Sequence, residues 1–335
     1  MSWNQNSGYG QAMLSAIHSA IGGTFGNVFV VMNSSDSDEG NYQHLQELFP
    51  ADPDGRVKFY TSLASAYAAT ESNNNDVIIL DGNSTHSLSG MLTVSNNRVH
   101  FIGLDYLLGI HRSYGQSSKV SIGVTTDTAD IAAVEVTGTR CSFRGIKFSS
   151  SNTLSQGKYT FVDAGEYTYI EDCEFYLSSQ LTVTSAAEFV ANGDSGTYKN
   201  CTFGSNVITL VGAIIRPCVI LTRELVSGKV ARDVTFEKCR FWRKVTNSAN
   251  AFVWATTATD VERQMEFRDC LFYADVTSTA TAAVAVGGAS ALTVGRIVLT
   301  GSTAEVGCTA LATQTGIWSA LPTLAAAGGS ALQAT

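Results

Sequence analysis

Two fifteen-residue stretches, 28 positions apart, constrain this chain more than any other feature: FVDAGEYTYIEDCEF at 161–175 and FVANGDSGTYKNCTF at 189–203. Laid over one another they pair Phe161 with Phe189, Gly165 with Gly193, Cys173 with Cys201 and Phe175 with Phe203. The Cys-x-Phe unit at their ends returns as FEKCRF around Cys239 and FRDCLF around Cys270, and FRGIKF, ending at Phe148, carries Ile146 in the cysteine slot. From Ile146 onward the slots are 27, 28, 38 and 31 residues apart. Upstream, Val94, Arg98, Phe101, Gly103 and Leu104 match Val136, Arg140, Phe143, Gly145 and Ile146 position for position, which makes six copies. A period of this length marks a stacked-repeat architecture.

Within each copy Cys and Phe, or Ile and Phe, alternate with polar residues, so each reads as a short strand with one buried face. The segments between copies are rich in Ser, Thr, Asn and Gly and show no helical period, which excludes the crossovers of ordinary βαβ units. Such strands predict a parallel β-solenoid, each turn pairing with the next about 4.8 Å away. The structural rung positions are then Cys173, Cys201, Cys239 and Cys270, with Phe175, Phe203, Phe241 and Phe272, all facing inward. Cysteines at 141, 218 and 308 bring the total to seven. Because Ile146 fills the same slot, the slot wants a small apolar side chain and the cysteines form a buried thiol column. No Cys-x-x-Cys pair indicates zinc, and unpaired thiols fit assembly in a reducing cytoplasm.

Three columns flank the rung. Two positions before each slot stand Arg144, Glu171, Lys199, Glu237 and Arg268, an alternation of sign that reads as a surface ladder setting register. One position before the slot stand Gly145, Asp172, Asn200, Lys238 and Asp269, mostly residues that tolerate the left-handed conformation of a tight turn; Lys238 departs from that preference and implies a different turn. After the rung Phe come Tyr176, Gly204, Trp242 and Tyr273. This aromatic column has three readings: burial under long loops, a subunit interface, or a sugar-stacking platform. Phe252 and Trp254 would enlarge the same patch.

With 15% charged and 44% apolar residues, 30 Gly and 4 Pro, the 335-residue chain reads as ordered and β-rich. A net charge of −8 and the lack of any Lys/Arg run argue against a nucleic-acid partner. No apolar run of about 18 residues implies a membrane, and MSWNQNSGYG lacks the charge and apolarity of a signal peptide. Residues 10–22 predict a helix with Met13, Leu14, Ile17 and Ile21 on one face, ended by a Gly pair, with His18 structural. Two strands and two further helices complete a small α/β cap over residues 1–75, and the β-helix itself is expected over 76–275. In residues 276–335 only Arg296 and Glu305 are charged and only Trp318 is aromatic. Such an Ala/Thr/Gly-rich stretch cannot form a core alone, so it is expected to be an extended oligomerisation or attachment segment lying on another subunit.

The stretch TSLASAYAATESNNNDVIILDGNSTHSLSGMLTVSNNRVHFIGL resembles the N-terminal part of pectate-lyase-like right-handed β-helix proteins: an Ala-rich helix, a turn, the DVIIL strand, then L-x-V and V-x-F-x-G. The likeness covers roughly residues 58–104, and the Cys-x-Phe rungs carry it to about residue 273. It implies an all-β fold, a right-handed parallel β-helix with a small N-terminal α/β capping region and an extended C-terminal segment. The helix would cover the exposed sheet edge and apolar end of the first coil. This fold hosts lyases, hydrolases, adhesins and phage structural proteins alike. The free cysteines, the Asn/Ser/Thr/Gly-rich rungs and the apolar tail resemble phage spike or capsid-decoration proteins in particular, and that resemblance implies a homotrimer.

Catalytic constellations are poor. The Asn-Thr-Asp, Asp-Asp, Gly-His-Gly and Arg-Ile-Lys motifs of the resembling polygalacturonases do not stand here, and Glu171, Asp172 and Asp194 fall in the turns of the repeat. Arg216-Pro217 is a faint echo of a lyase's basic residue; His86, His100 and His111 lie near one another along the chain without a nucleophile motif. No catalytic residue, cofactor or metal is assigned. The expectation is a non-enzymatic virion structural protein of a tailed bacteriophage, a capsid decoration or cement protein assembled in the host cytoplasm. Its partners would be itself and the major capsid protein or another virion protein. The alternative is a tailspike that binds or cleaves host surface polysaccharide as a lyase or hydrolase. The residues expected at an interface or glycan are Tyr176, Trp242, Tyr273 and Trp254.

Overall fold

The computed structural model describes residues 8–32, 39–49, 57–82, 85–109, 120–124, 132–150, 159–177, 187–205, 218–221, 231–245, 251–255, 259, 261–276, 281–286, 295–305, 308–312 and 317–319. Among them the strands form three parallel sheets of 11, 8 and 8 strands, here the first, second and third, and a two-stranded pair. One turn runs from Tyr159–Asp163 in the third sheet to Tyr169–Glu171 in the first and Glu174–Leu177 in the second. The next repeats it as Ala187–Ala191, Thr197–Lys199 and Thr202–Ser205. Phe161 pairs with Phe189, Ile170 with Tyr198 and Phe175 with Phe203, the register the repeat implies.

Period-two alternation aims one residue in two at the interior, and in-register parallel pairing lays like side chains on one another. Phe148, Phe175, Phe203, Phe241 and Phe272 therefore stack as one ladder, with centroids 5.2, 5.0, 5.2 and 4.6 Å apart. Phe161 and Phe189 stack beside it at 5.5 Å, and Phe236 and Phe267 at 4.7 Å. All nine rings are buried.

The corner between the first and second sheets is a single left-handed residue, with φ of 64° at Gly145, 53° at Asp172, 52° at Asn200, 53° at Lys238 and 52° at Asp269. Lys238 thus makes the same turn as its neighbours, contrary to expectation. Its N–H bonds the Arg268 carbonyl at 2.8 Å, as Asn200 bonds Glu237 at 2.9 Å and Asp269 bonds Thr300 at 2.8 Å. That inter-turn bond offsets the roughly 1–2 kcal/mol cost of a Cβ in this conformation.

Cys173, Cys201, Cys239 and Cys270 are buried and form no disulfide, and the same holds for Cys141 and Cys218. The column is more than small filler. Cys201 donates to the Ile170 carbonyl at 3.7 Å, Cys239 to Tyr198 at 3.3 Å and Cys270 to Phe236 at 3.4 Å, each one turn back. Burial pushes the Cys141 thiol up to about 11, that of Cys218 to about 12, and that of Cys239 well above its ordinary value. A thiol that is neither ionised nor exposed does not react. The expected outcome is that these six thiols resist a water-soluble disulfide reagent at neutral pH, and that all seven react in denaturant. Fast labelling of several in the native protein would contradict this packing.

Four helices occur among the described residues: α1 (Gly8–Ile21), α2 (Glu39–Leu48), α3 (Leu63–Ala68) and α4 (Leu104–Leu107). Ser62 caps α3 through its hydroxyl, and Leu63 and Ala66 enter the interior cluster with Phe29, Val31 and Ile78, closing the apolar end. Met13, Ile17, Leu45 and Leu48 of α1 and α2 pack with Val28, Val30, Val77 and Ile79 in a second cluster. The cap is not a separate layer, because Val57–Tyr60 and Val28–Val31 extend the first sheet beyond Asp76–Leu80.

Among its described residues the C-terminal segment adds further rungs to the same solenoid. Thr281–Val286 and Cys308–Ala312 continue the third sheet, and Arg296–Thr300 and Ile317–Ser319 the first. The boundary expected at 275/276 is therefore corrected. Ala283, Val284, Ile297 and Leu299 keep the inward positions filled where aromatic residues run out. The tail beyond residue 319 lies outside the described residues.

Candidate functional site

The outward aromatic column forms in register on the second sheet, Tyr176 beside Gly204, Gly204 beside Trp242 and Trp242 beside Tyr273. It is no open platform. Trp242 is buried over Gly204, where a Cβ would meet its ring at 2.7 Å, and Tyr176 and Tyr273 are half-buried. The patch with Phe252 and Trp254 does not form: Phe252 faces inward and is wholly buried, and Trp254 stands on the third sheet between Ile220 and Ala285.

The histidines do not converge either. His86, in the second sheet, holds the Asp81 carbonyl at 2.9 Å, whereas His100 lies in the first; His111 falls outside the described residues. The charge ladder closes over three turns, with Glu171 3.7 Å from Arg144 and 3.8 Å from Lys199. Further along it lapses, because Arg268 pairs with Glu266 at 2.6 Å. Nor is it all at the surface: the Arg144 side chain is only 9% exposed, and the Tyr106 hydroxyl donates to Glu171 at 3.1 Å.

What the structure does bring together is a groove of about 520 Å³ between the end of α1 and the first sheet. Its chemistry comes from Arg98, His100, Arg140, Ser142, Arg144 and Tyr167. His100 and Ser142 are neighbours in the sheet, and Ser142 pairs in turn with Tyr169. Arg98, Arg140 and Tyr167 hold the corner from the third sheet to the first on three successive turns, with φ of 57°, 60° and 56°. A second cavity of about 470 Å³ adjoins it and shares Arg144 and Tyr169.

Arg144 Nη1 donates to Ser142 Oγ at 2.6 Å, and Ser142 Oγ lies 2.8 Å from His100 Nδ1. Burial, then the Arg144 and Arg98 charges, push His100 down to about 4 against the opposing pull of Asp76. In a neutral imidazole one ring nitrogen donates and the other accepts, so the tautomer sets the direction of the bond to Ser142. Arg144 Nε is buried without a hydrogen-bond partner, since Glu171 at 3.7 Å is too far for one. Arg98 and Arg140 have no carboxylate partner among the described residues, whereas Arg232 has Glu262 at 2.9 Å and Arg263 has Asp233 at 2.8 Å. Arg140 stands 5.8 Å from the ring of Tyr167, which is 56% exposed, and Arg144 stands 4.7 Å from that of Tyr169. Among the described residues no cluster of three His, Cys, Asp or Glu could hold a metal.

The depressed histidine has a consequence for stability. On unfolding, the imidazole takes up its proton through about pH 6.5, whereas in the fold it does so only near 4. Between these values the unfolded chain binds more protons, so stability rises with pH from about 4 to 6.5 and then levels, a span of about 3 kcal/mol. The expected result is a shallower pH dependence for His100→Gln than for the parent over that window, measured by denaturant titration. Parallel curves would show that His100 titrates normally.

No family model matches the chain, and no curated protein matches it. Among solved structures it is similar to the pectate lyase Pel9A, with a TM-score of 0.52 and 11% identity, over 88% of this chain and 68% of that one. It is also similar to a pectin methylesterase solved with a hexasaccharide, with a TM-score of 0.50 and 9% identity, over 88% of both chains. A protein of Geobacillus virus E2, ORF18, aligns with a TM-score of 0.34 and 11% identity over 76% of this chain and 57% of that one. At such identities likeness is a matter of fold and not of chemistry. The chain has a right-handed parallel β-helix fold similar to that of these two enzymes.

Proposed function

We propose that the chain is a non-enzymatic structural protein of a tailed-bacteriophage virion, set on the capsid surface as a homotrimeric decoration protein that binds the major capsid protein or another virion protein. The observation that carries the non-enzymatic part is the Arg144–Ser142–His100 chain of hydrogen bonds. A guanidinium holds the Ser142 hydroxyl, and the histidine beside it, at about 4, is a weak base at neutral pH. Glu171 is committed to Arg144, Lys199 and Tyr106 rather than paired with a second acid across a cleft, as glycoside hydrolysis requires. The stacked, side-chain-filled interior suits a stiff element, and the buried thiols suit assembly in a reducing cytoplasm.

One observation favours a second reading, a receptor-binding tail protein: Arg98, Arg140 and Tyr167 stand together without an acidic partner among the described residues. Imaging of purified particles by electron cryo-microscopy, with quantitative mass spectrometry, separates the two. Many copies spread over the capsid lattice are expected. A few copies confined to the tail would replace the decoration reading with the receptor-binding one, and absence from particles would remove both.

A further inference from the structure

We infer that the groove beside α1 binds a phosphate monoester carried on a saccharide, the dianion held by Arg98 and Arg140 with Arg144 behind them and the sugar face laid on Tyr167. The inference concerns the site itself and stands whether or not the virion reading does.

Charge is the first support. Arg98 and Arg140 occupy the same corner position on adjacent turns, roughly one strand spacing of 4.8 Å apart. Like charges directly opposite one another are destabilising. Later arginines near this corner come with an acid, Arg232 with Glu262 and Arg263 with Asp233, yet among the described residues no Asp or Glu lines this groove. Three guanidiniums thus gather in a chain whose net charge is −8. Glu171 offsets Arg144, which leaves two uncompensated charges at Arg98 and Arg140. A phosphate monoester near neutral pH carries about −1.5 to −2, which matches them better than a single carboxylate does.

The second support is an unmet donor: Arg144, nine-tenths buried, lines the groove and keeps Nε without a hydrogen-bond partner. A guanidinium fork matches phosphate oxygens in pairs. Lastly, an exposed tyrosine beside an arginine offers a flat face for a sugar ring, and 520 Å³ accommodates a saccharide unit.

Calorimetric titration of the full chain with glucose 1-phosphate, inorganic phosphate, glucuronic acid and glucose, at neutral pH and low salt, tests the inference. Glucose 1-phosphate is expected to bind most tightly, inorganic phosphate and glucuronic acid more weakly, and glucose not at all. Arg140 is exposed, so Arg140→Ala should keep the parent's thermal midpoint while both phosphate probes lose about tenfold in affinity. Tyr167→Ala should bring glucose 1-phosphate down to the level of inorganic phosphate. Saturable binding of neither phosphate probe, or affinities untouched in folded Arg140→Ala, would overturn the site. Glucuronic acid binding as well as glucose 1-phosphate would overturn the dianion, and equal binding of free phosphate would overturn the saccharide.

Discussion

Phe189→Ala is expected to lower the unfolding free energy by about 3–5 kcal/mol, near the most that a single truncation does. The ring is fully buried and lies 5.5 Å from Phe161, 4.9 Å from Phe175, 4.8 Å from Tyr198 and 5.2 Å from Phe203, centre to centre. Two features keep the cost high. The neighbouring rings belong to strands whose spacing is held by backbone hydrogen bonds, so the wall of the new cavity cannot close in, and cavity volume is what raises the penalty. A solenoid is stabilised by contacts between adjacent turns, and this ring serves the turns on both sides of its own. Phe189→Leu, which keeps most of the volume, should cost clearly less. Urea denaturation with an unchanged slope and a lowered midpoint is the measurement; a loss below about 1 kcal/mol for the alanine variant would mean that the stack is not continuous there.

The rungs were legible because their chemistry is period two and their corners carry a backbone requirement. Cys-x-Phe marks the inward face, and Asp172, Asn200 and Asp269 announce the left-handed corner, where φ is 53°, 52° and 52°. Lys238 misled because side-chain preference at such a corner is weaker than the hydrogen bond to the next turn, which every copy makes regardless of residue. The final rungs are set apart from the solenoid in the sequence for a different reason, although ALTVGRIVL there still reads as strand. Ala283, Val284, Ile297 and Leu299 fill the interior without aromatic residues, so composition changes while the inward packing continues.

The groove was hidden for a reason of distance along the chain. Arg98, Arg140 and Tyr167 come from three different turns, and only the stacking of corners makes them neighbours. A signal was nonetheless present, since Arg98 and Arg140 align in the upstream copies of the repeat. An arginine at one position on two adjacent turns, with no acid beside it among the described residues, is the mark of such a groove. Trp242 follows the burial reading of its column. An aromatic residue in an outward register position need not be exposed, because a glycine on the next strand leaves room for the ring to lie flat.

Asp163 supplies the other large expected effect. Its carboxylate is fully buried; one oxygen accepts from the Gly165 N–H at 3.0 Å and the Thr168 hydroxyl at 2.9 Å, the other from the Tyr198 hydroxyl at 2.6 Å. It therefore ties the corner of its own turn to an inward tyrosine of the next. Asp163→Ala leaves three buried donors without this acceptor, and a cost of about 3–5 kcal/mol follows from the desolvation each has already undergone. Asp163→Asn should cost less, because one carbonyl oxygen still serves Gly165 and Thr168. Tyr198→Phe removes only the third donor, so in a double-mutant cycle with Asp163→Asn the two losses should sum to more than the double variant shows. Burial, then the Asp163 charge, raise the Tyr198 hydroxyl well above its ordinary 10.0. The unfolded phenol ionises first as pH climbs past that value, so stability falls there in the parent. In Tyr198→Phe that part of the alkaline loss should disappear, and if it persists unchanged the hydroxyl is not held by Asp163 in solution.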